Sequence, residues 1–99
     1  MNPKLNLTEA ELAALLQLIQ THLPNVEIWA FGSRVVGTNG ESSDLDLAAF
    51  ASEMETRAVS NLREALEESN LPMRVDLHIW QDLPEHFQST IRETAIRLC

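Results

Sequence analysis

The apolar residues of this sequence change their spacing several times within 99 residues, and that change limits the folds open to the chain. Three segments place apolar residues three or four positions apart, as in an amphipathic helix. Three short segments between them are rich in β-branched and aromatic residues, as in a strand. Because helices and strands that alternate in so short a chain must share one core, residues 1–99 are predicted to form a single α+β domain.

The first two helices are predicted from apolar spacing and one capping signal. Thr8 and Glu11 stand three residues apart, as in a capping box in which Thr8 is the N-cap. Leucine and isoleucine residues at helical spacing extend this helix to about His22. Met54–Ser69 repeats alanine and leucine on one face and is predicted to be the second long helix.

The last helix is predicted to begin at Asp82, which has the position of an N-cap, with Pro84 and Glu85 in the first turn. Four apolar residues at steps of three or four are expected to be buried by this helix: Phe87, Ile91, Ala95 and Leu98. The helix is therefore expected to reach almost to the last residue of the sequence.

Three strands are predicted between the helices. The first is Val26–Phe31, the second is Asp44–Phe50 and the third is Met73–Trp80. Gly32–Ser43 contains all three glycines, and we expect a turn and a loop there, with one helical turn after Ser33. The predicted order is helix, strand, loop, strand, helix, strand, helix.

Charge and cysteine content exclude several classes of protein. Fifteen acidic against seven basic residues give a net charge of −8, which is unsuited to general binding of a nucleic-acid backbone and better suited to metal ions or a basic partner. The single cysteine, Cys99, cannot form a disulfide framework or a multi-cysteine metal site. Without an apolar segment of signal-peptide or membrane-span length, a cytoplasmic location is expected.

Three acidic residues carry the most informative pattern. Asp44 and Asp46 are two residues apart in a predicted strand, so both side chains project from one face while the neighbouring leucines enter the other. Asp76 repeats the arrangement on the third predicted strand. If the two strands are neighbours, three carboxylates converge on one patch. Oxygen ligands of this kind favour a hard cation such as Mg²⁺, bound together with waters and substrate phosphates.

The glycine-serine pair after the first strand is the complementary feature. Gly32 would let the backbone approach a ligand, and amides of a following helical turn at Ser33 would hold phosphate oxygens. Arg34 would offset phosphate charge, and Ser43 is a further candidate for nucleotide binding. The glycine spacing is that of a P-loop, but Thr38 stands where lysine is required, which excludes that motif.

Structural explanations compete with each of these assignments. A solvated strand face beside a turn would also explain the aspartates, and an ordinary surface arginine would explain Arg34 equally well. A local turn hydrogen bond is the simpler explanation of Ser43. His78 shares the face of Asp76 and is a candidate for the edge of the predicted site, although no catalytic role is predicted for it, whereas Trp80 is expected to pack in the core.

The chain resembles the DNA polymerase β-like nucleotidyltransferase superfamily in three segments. These are Phe31-Gly32-Ser33, Asp44-Leu45-Asp46-Leu47 and Val75-Asp76-Leu77, in the order and with the apolar flanks of the superfamily motifs. The longer pattern GSRVVGTNGESSDLDL, followed by LPMRVDLHIW, is most similar to the minimal nucleotidyltransferases (MNT) of prokaryotic HEPN–MNT toxin–antitoxin pairs. The resemblance extends over nearly the whole chain.

This resemblance implies a small mixed β-sheet with helices packed on one face. It also implies a metal-dependent enzyme that transfers a nucleoside monophosphate, with AMP from ATP favoured, to an acceptor hydroxyl and releases pyrophosphate. By resemblance, Asp44 and Asp46 would hold two Mg²⁺ ions, which Mn²⁺ could replace, and Asp76 would join them and help activate the acceptor. Gly32 and Ser33 would hold the triphosphate.

The implied partner is a HEPN-domain toxin, so that the chain would act as an antitoxin, alone as an oligomer or as a hetero-oligomer with that toxin. Direct nucleic-acid and membrane partners are not expected. Two alternatives stay open at this point. The chain would be a non-catalytic antitoxin that neutralises its partner by binding, or a nucleotide-transfer module for a small molecule that a second chain completes.

Overall fold

The computed structural model describes residues 5–36 and 44–99, and its centre is a four-stranded mixed sheet. The strands are β1 (Ile28–Phe31), β2 (Leu45–Ala49), β3 (Val75–Ile79) and β4 (Ile96–Arg97). Their order across the sheet is β3-β2-β1-β4, with β2 and β3 parallel and β1 antiparallel to both β2 and β4. The predicted α+β class and the mixed sheet are confirmed, and each predicted strand contains an observed one.

The helices agree with the sequence patterns over most of the chain. They are α1 (Glu9–His22), α2 (Ser33–Val36), α3 (Thr56–Glu67) and α4 (Glu85–Thr94). The capping box of α1 is confirmed, because the Glu11 amide donates to Thr8 Oγ1 at 3.1 Å and the Thr8 amide donates to Glu11 Oε1 at 3.0 Å. The predicted second helix is divided into a 3₁₀ turn at Glu53–Glu55 and α3.

The start of the last helix was wrongly predicted. Its N-cap is Pro84, and Asp82 instead ends a 3₁₀ turn over Trp80–Asp82 that is closed by a hydrogen bond from the Leu83 amide to the Trp80 carbonyl at 3.1 Å. The extended backbone of Leu83 and Pro84 separates that turn from α4. A proline fits the cap because its missing amide is not needed there.

The end of the last helix also differs from the prediction. Helix α4 ends at Thr94, and Ala95 has extended backbone angles that turn the chain into β4. Strand β4 pairs with β1 and provides hydrogen-bond partners for the second edge of β1, which a longer helix would leave unpaired. Of the four apolar residues expected in this helix, Ile91 is buried, but Phe87 is 51% exposed and Leu98 lies beyond β4.

The main core lies on the face of the sheet that α1 and α3 cover. Alternate residues of the strands point into it, together with buried residues of both helices: Leu15, Ile19, Leu45, Leu47, Val59 and Leu62. A smaller cluster of Phe31, Ala48, Trp80 and Ile91 includes the outward-facing residues of β1 and β2. Helix α4 contributes Ile91 to this second cluster. Helix α4 therefore packs on the opposite face of the sheet from α1 and α3, whereas all helices were expected on one face. Its contact buries aromatic residues that would otherwise be exposed to water.

Strand β3 is an edge strand beside β2, and α3 protects its outer side. The Arg63 guanidinium donates to the Leu77 carbonyl through Nε at 3.0 Å and through Nη2 at 2.8 Å. The Arg74 carbonyl, just before β3, accepts a hydrogen bond from the Leu45 amide of β2. In a parallel pair only every second residue bonds to a given neighbour, so the Leu77 carbonyl points away from β2.

In the part of the chain that the structure describes, no helix has the length and apolar character needed to cross a bilayer.

Candidate active site

Two of the three predicted acids lie side by side in the sheet. Asp46 on β2 is the Cα partner of Asp76 on β3, and on its other side it is the partner of Phe31 on β1. The alternation of β2 sends its leucines into the main core and leaves Asp46 on the opposite face, half-buried. Asp44 precedes β2 and is exposed. The parallel neighbours β2 and β3 therefore bring Asp46 and Asp76 together.

The carboxyl of Asp46 is the perturbed group of this site. Burial raises the pKa of Asp46 above its ordinary value, because the charged form loses hydration when it is removed from water. The negative charges of Asp76 and Asp44 raise this pKa further, whereas a contact with His78 opposes the shift. The resulting site has an excess of negative charge that a cation would relieve.

This shift predicts an unusual dependence of stability on pH. Because the folded-state pKa of Asp46 is raised, its contribution to stability is fully present below about pH 3.9, the unfolded value, and is lost as pH rises to the folded pKa. In EDTA, the free energy of unfolding of Asp46→Asn relative to wild type should therefore increase across that interval and then level off. Urea unfolding of both proteins at a series of pH values measures this difference in free energy. If the difference fell with rising pH, the pKa of Asp46 would not be raised in the folded protein.

Basic side chains already contact two of the carboxylates. Arg74 Nε donates to Asp76 Oδ1 at 2.9 Å, and His78 Nε2 lies 3.5 Å from Asp46 Oδ1. Both basic residues are two positions from Asp76 and so share its face of β3. The sequence reasoning placed His78 at the edge of the site but did not single out Arg74, which the same period-two argument would have found.

The turn after β1 lies directly against Asp46. Gly32 has a φ of +90°, a conformation that favours glycine, and a Cβ built on it would lie 2.6 Å from Asp46 Oδ2. Any other residue would therefore meet the carboxylate. The glycine allows backbone and acid to approach more closely than a side chain permits.

The remaining predicted nucleotide-binding residues are placed differently. Ser33 begins the single turn of α2 directly after Gly32, whereas Ser43 lies outside the described residues. Arg34 is 7% exposed, and its Nη1 donates to the carbonyl of Asn6 at 3.0 Å. Its guanidinium is thus engaged with the N-terminal segment of the chain.

The donor chemistry of the site fits a hard divalent cation. Carboxylate oxygens are the ligands that Mg²⁺ accepts, and the pKa of Asp46 is raised chiefly by burial and to a smaller extent by the negative charges of Asp76 and Asp44. Within residues 5–36 and 44–99, however, no three His, Cys, Asp or Glu side chains stand close enough together to enclose a metal ion. Asp46 and Asp76 form a pair, with Asp44 beside them on the exposed side.

A glycine turn against paired carboxylates is an arrangement that suits phosphate chemistry, and the comparison with known proteins is decisive. Residues 14–99 match the family described as Polymerase beta, Nucleotidyltransferase. The chain belongs to this nucleotidyltransferase family. Enzymes of this superfamily typically use divalent metals, in agreement with the donor set of the site.

One relative and several solved toxin–antitoxin structures are similar to this nucleotidyltransferase. A probable protein adenylyltransferase, MntA, of Haemophilus influenzae is 40% identical over 94 residues, which are 94% of this chain and 82% of the relative. A crystal structure of a toxin–antitoxin complex with AMP-PNP has a TM-score of 0.62 at 21% identity and covers 94% of this chain and 73% of its own.

A second solved structure, of a tri-AMPylated Shewanella oneidensis HEPN toxin in complex with an MNT antitoxin, has a TM-score of 0.55 at 16% identity. The aligned region covers 92% of this chain and 71% of the chain in that structure. At these identities the two structures establish the shared fold. The sequence resemblance to minimal nucleotidyltransferases of toxin–antitoxin pairs is confirmed by the family match together with the MntA relative.

Proposed function

We propose that this nucleotidyltransferase is a metal-dependent antitoxin that transfers AMP from ATP to a hydroxyl of a HEPN-domain toxin. The observation that carries the proposal is the pairing of Asp46 with Asp76 on adjacent parallel strands, directly against the Gly32 turn. The similarity to an adenylyltransferase and to toxin–antitoxin complexes supports the choice of nucleotide and partner. The proposal treats residues 1–99 as one catalytic domain in the cytoplasm.

The three aspartates are proposed to have two roles, metal binding and proton acceptance. Asp44, Asp46 and Asp76 would hold Mg²⁺, or Mn²⁺ in its place, which when bound neutralises developing charge on the transferring phosphoryl group. Asp76 is also proposed to accept the proton of the acceptor hydroxyl. Transfer then forms a bond between the acceptor oxygen and the α-phosphorus, breaks the bond to the β-phosphate oxygen, and releases pyrophosphate.

The glycine turn is proposed to receive the triphosphate. Because Gly32 has no side chain, its backbone can approach a phosphate held beside Asp46. Ser33 follows it in the chain and is proposed as a second phosphate contact, and Ser43 retains the same proposed role from the sequence. A repulsive pair of carboxylates alone would exclude an anionic nucleotide, so the cation and the turn are both needed.

The surroundings of Asp76 leave room for a macromolecular acceptor. A cavity of about 630 Å³ lies along the outer side of β3 and extends to the acid. Its lining includes the polar residues Arg63, Arg74, Asp76 and His78. An open cavity beside the proposed base fits an acceptor residue presented by another protein, and in the Shewanella complex it is the HEPN toxin that is AMPylated.

The proposal is tested by following the label of α-³²P-ATP. The chain is incubated with Mg²⁺ and a HEPN-domain toxin as acceptor. We expect label on the toxin from α-³²P-ATP, none from γ-³²P-ATP, and none in EDTA. Asp76→Asn should lower the transfer rate by about a hundredfold or more, the usual contribution of a general base. Asp82→Asn, an exposed acid in the 3₁₀ turn, is the matched control and should transfer at the wild-type rate.

Other outcomes of this experiment identify the alternatives. An antitoxin that acts only by binding has one structural observation in its favour, since Arg74 and His78 already contact the acids. In that case Asp76→Asn would still neutralise the toxin in cells and no label would be transferred by wild type. Label on an added small-molecule hydroxyl without any protein acceptor would instead identify a small-molecule transferase.

A further inference from the structure

Helix α2 is too short to hold its own position. It contains four residues, Ser33–Val36, and its first turn is closed by the Val35 amide, which donates to the Gly32 carbonyl at 3.0 Å. A single helical turn is unstable by itself because it orders several residues for one hydrogen bond. The pairing of Phe31 with Asp46 brings Gly32 beside the acid, and the course of α2 after that glycine depends on contacts with the rest of the protein, among them the burial of Val35 in the main core.

The N-terminal segment 5–7 provides such contacts through Arg34. The Asn6 amide donates to the Arg34 carbonyl at 2.9 Å, and Arg34 Nη1 donates back to the Asn6 carbonyl at 3.0 Å. The two residues are thus joined by both backbone and side chain. Arg34 is 7% exposed, and a buried guanidinium is tolerated only where hydrogen bonds replace its hydration.

Segment 5–7 is itself firmly held. Leu5 is buried in the main core, and the Leu7 amide donates to the Leu5 carbonyl at 2.9 Å. Thr8 follows at once as the N-cap of α1. A position fixed by the core and by α1 is therefore transmitted through Asn6 and Arg34 to the turn at Gly32.

We infer that Arg34 is a positioning residue that ties the Gly32 turn to segment 5–7 and so helps to hold that turn beside Asp46, where the pairing of Phe31 with Asp46 brings it. The phosphate contact predicted for Arg34 from the sequence remains a separate prediction, and the positioning role is exerted through the polypeptide. The consequence for catalysis rests on the proposed function, because a displaced turn would misplace the triphosphate, and small misplacements of reacting groups are costly.

The test that needs no nucleotide is hydrogen–deuterium exchange of the Val35 amide in the full chain. Arg34→Gln should exchange there about tenfold faster than wild type, the change expected when one hydrogen bond no longer restrains an opening. Arg57→Gln, which changes an exposed arginine of α3, is the matched control and should leave this amide unaffected. Wild-type exchange in a folded Arg34→Gln protein overturns the inference, whatever its activity.

A second variant separates positioning from phosphate binding and remains informative if Arg34→Gln does not fold. Asn6→Pro removes the amide that donates to the Arg34 carbonyl but leaves the Arg34 side chain intact. It should raise the KM for ATP about tenfold and speed Val35 exchange, and Asn6→Ala, which keeps the amide, measures the effect of removing the Asn6 side chain alone. Faster exchange without active transfer would contradict only the proposed function. Unchanged exchange and KM in Asn6→Pro would overturn the positioning role.

Discussion

Asp46→Asn is expected to lower the rate of AMP transfer by about a thousandfold while leaving the protein at least as stable as wild type. The loss of rate follows because an amide oxygen carries no full negative charge and would hold the cation only weakly, and that cation would neutralise the charge of the transferring phosphoryl group. Stability is retained because burial raises the pKa of Asp46, so its ionised carboxylate is unfavourable in the folded protein at neutral pH. A neutral side chain of the same shape avoids that cost.

Two measurements on the same preparation check this prediction. Single-turnover transfer from α-³²P-ATP reports the chemical step, and urea unfolding in EDTA reports the free energy of unfolding without metal. Asp82→Asn is again the control, because it removes one negative charge from an exposed position outside the site. Transfer within tenfold of wild type would show that Asp46 is not part of the reacting centre, and a large loss of stability would show that its carboxylate is structural.

Gly32→Ala is expected to have the second largest effect, on both stability and transfer. At a φ of +90° any residue with a Cβ is strained, which costs about 1–3 kcal/mol of the free energy of unfolding. The added methyl would also lie 2.6 Å from Asp46 Oδ2, so the turn or the carboxylate must move. Because both are proposed to hold the reacting groups, transfer should fall by about a hundredfold.

A double-mutant cycle separates the two causes. Asp46→Ala removes Oδ2 but keeps a Cβ, which would lie 3.6 Å from the new methyl group, an ordinary contact. Gly32→Ala should therefore cost less stability in the Asp46→Ala background than in wild type, and the residual cost measures the backbone strain. Equal costs in the two backgrounds, measured by urea unfolding, would mean that the close approach of turn and acid has no energetic consequence.

The local elements were largely predictable because their signals lie within a few residues of one another. The capping box of Thr8 and Glu11 is such a signal, and α1 begins there. The alternation around Asp46 is another, since neighbouring side chains of a strand must point to opposite faces. Both depend on backbone geometry that any chain with this spacing would share.

The last twenty residues were less predictable because long-range pairing decided them. Phe87 and Ile91 have the same helical spacing in the sequence, yet only Ile91 is buried, in the cluster beside Trp80. The apolar spacing predicted a helix as far as Leu98. In the structure the helix ends at Thr94, and the following residues form β4, which pairs with the second edge of β1. The spacing of apolar residues gives no information about whether a strand far away in the sequence has an unpaired edge.

The sequence alone predicted which side chains share a face: Asp46 with its neighbour Asp44, and Asp76 with His78. Those relations follow from the two-residue period of a strand and need no partner. Only the tertiary structure decided that β3 lies parallel beside β2, which sets Asp46 opposite Asp76, and that Arg34 is buried against Asn6. Such neighbours are chosen by the burial of a shared core and by backbone hydrogen bonding between segments far apart in the chain.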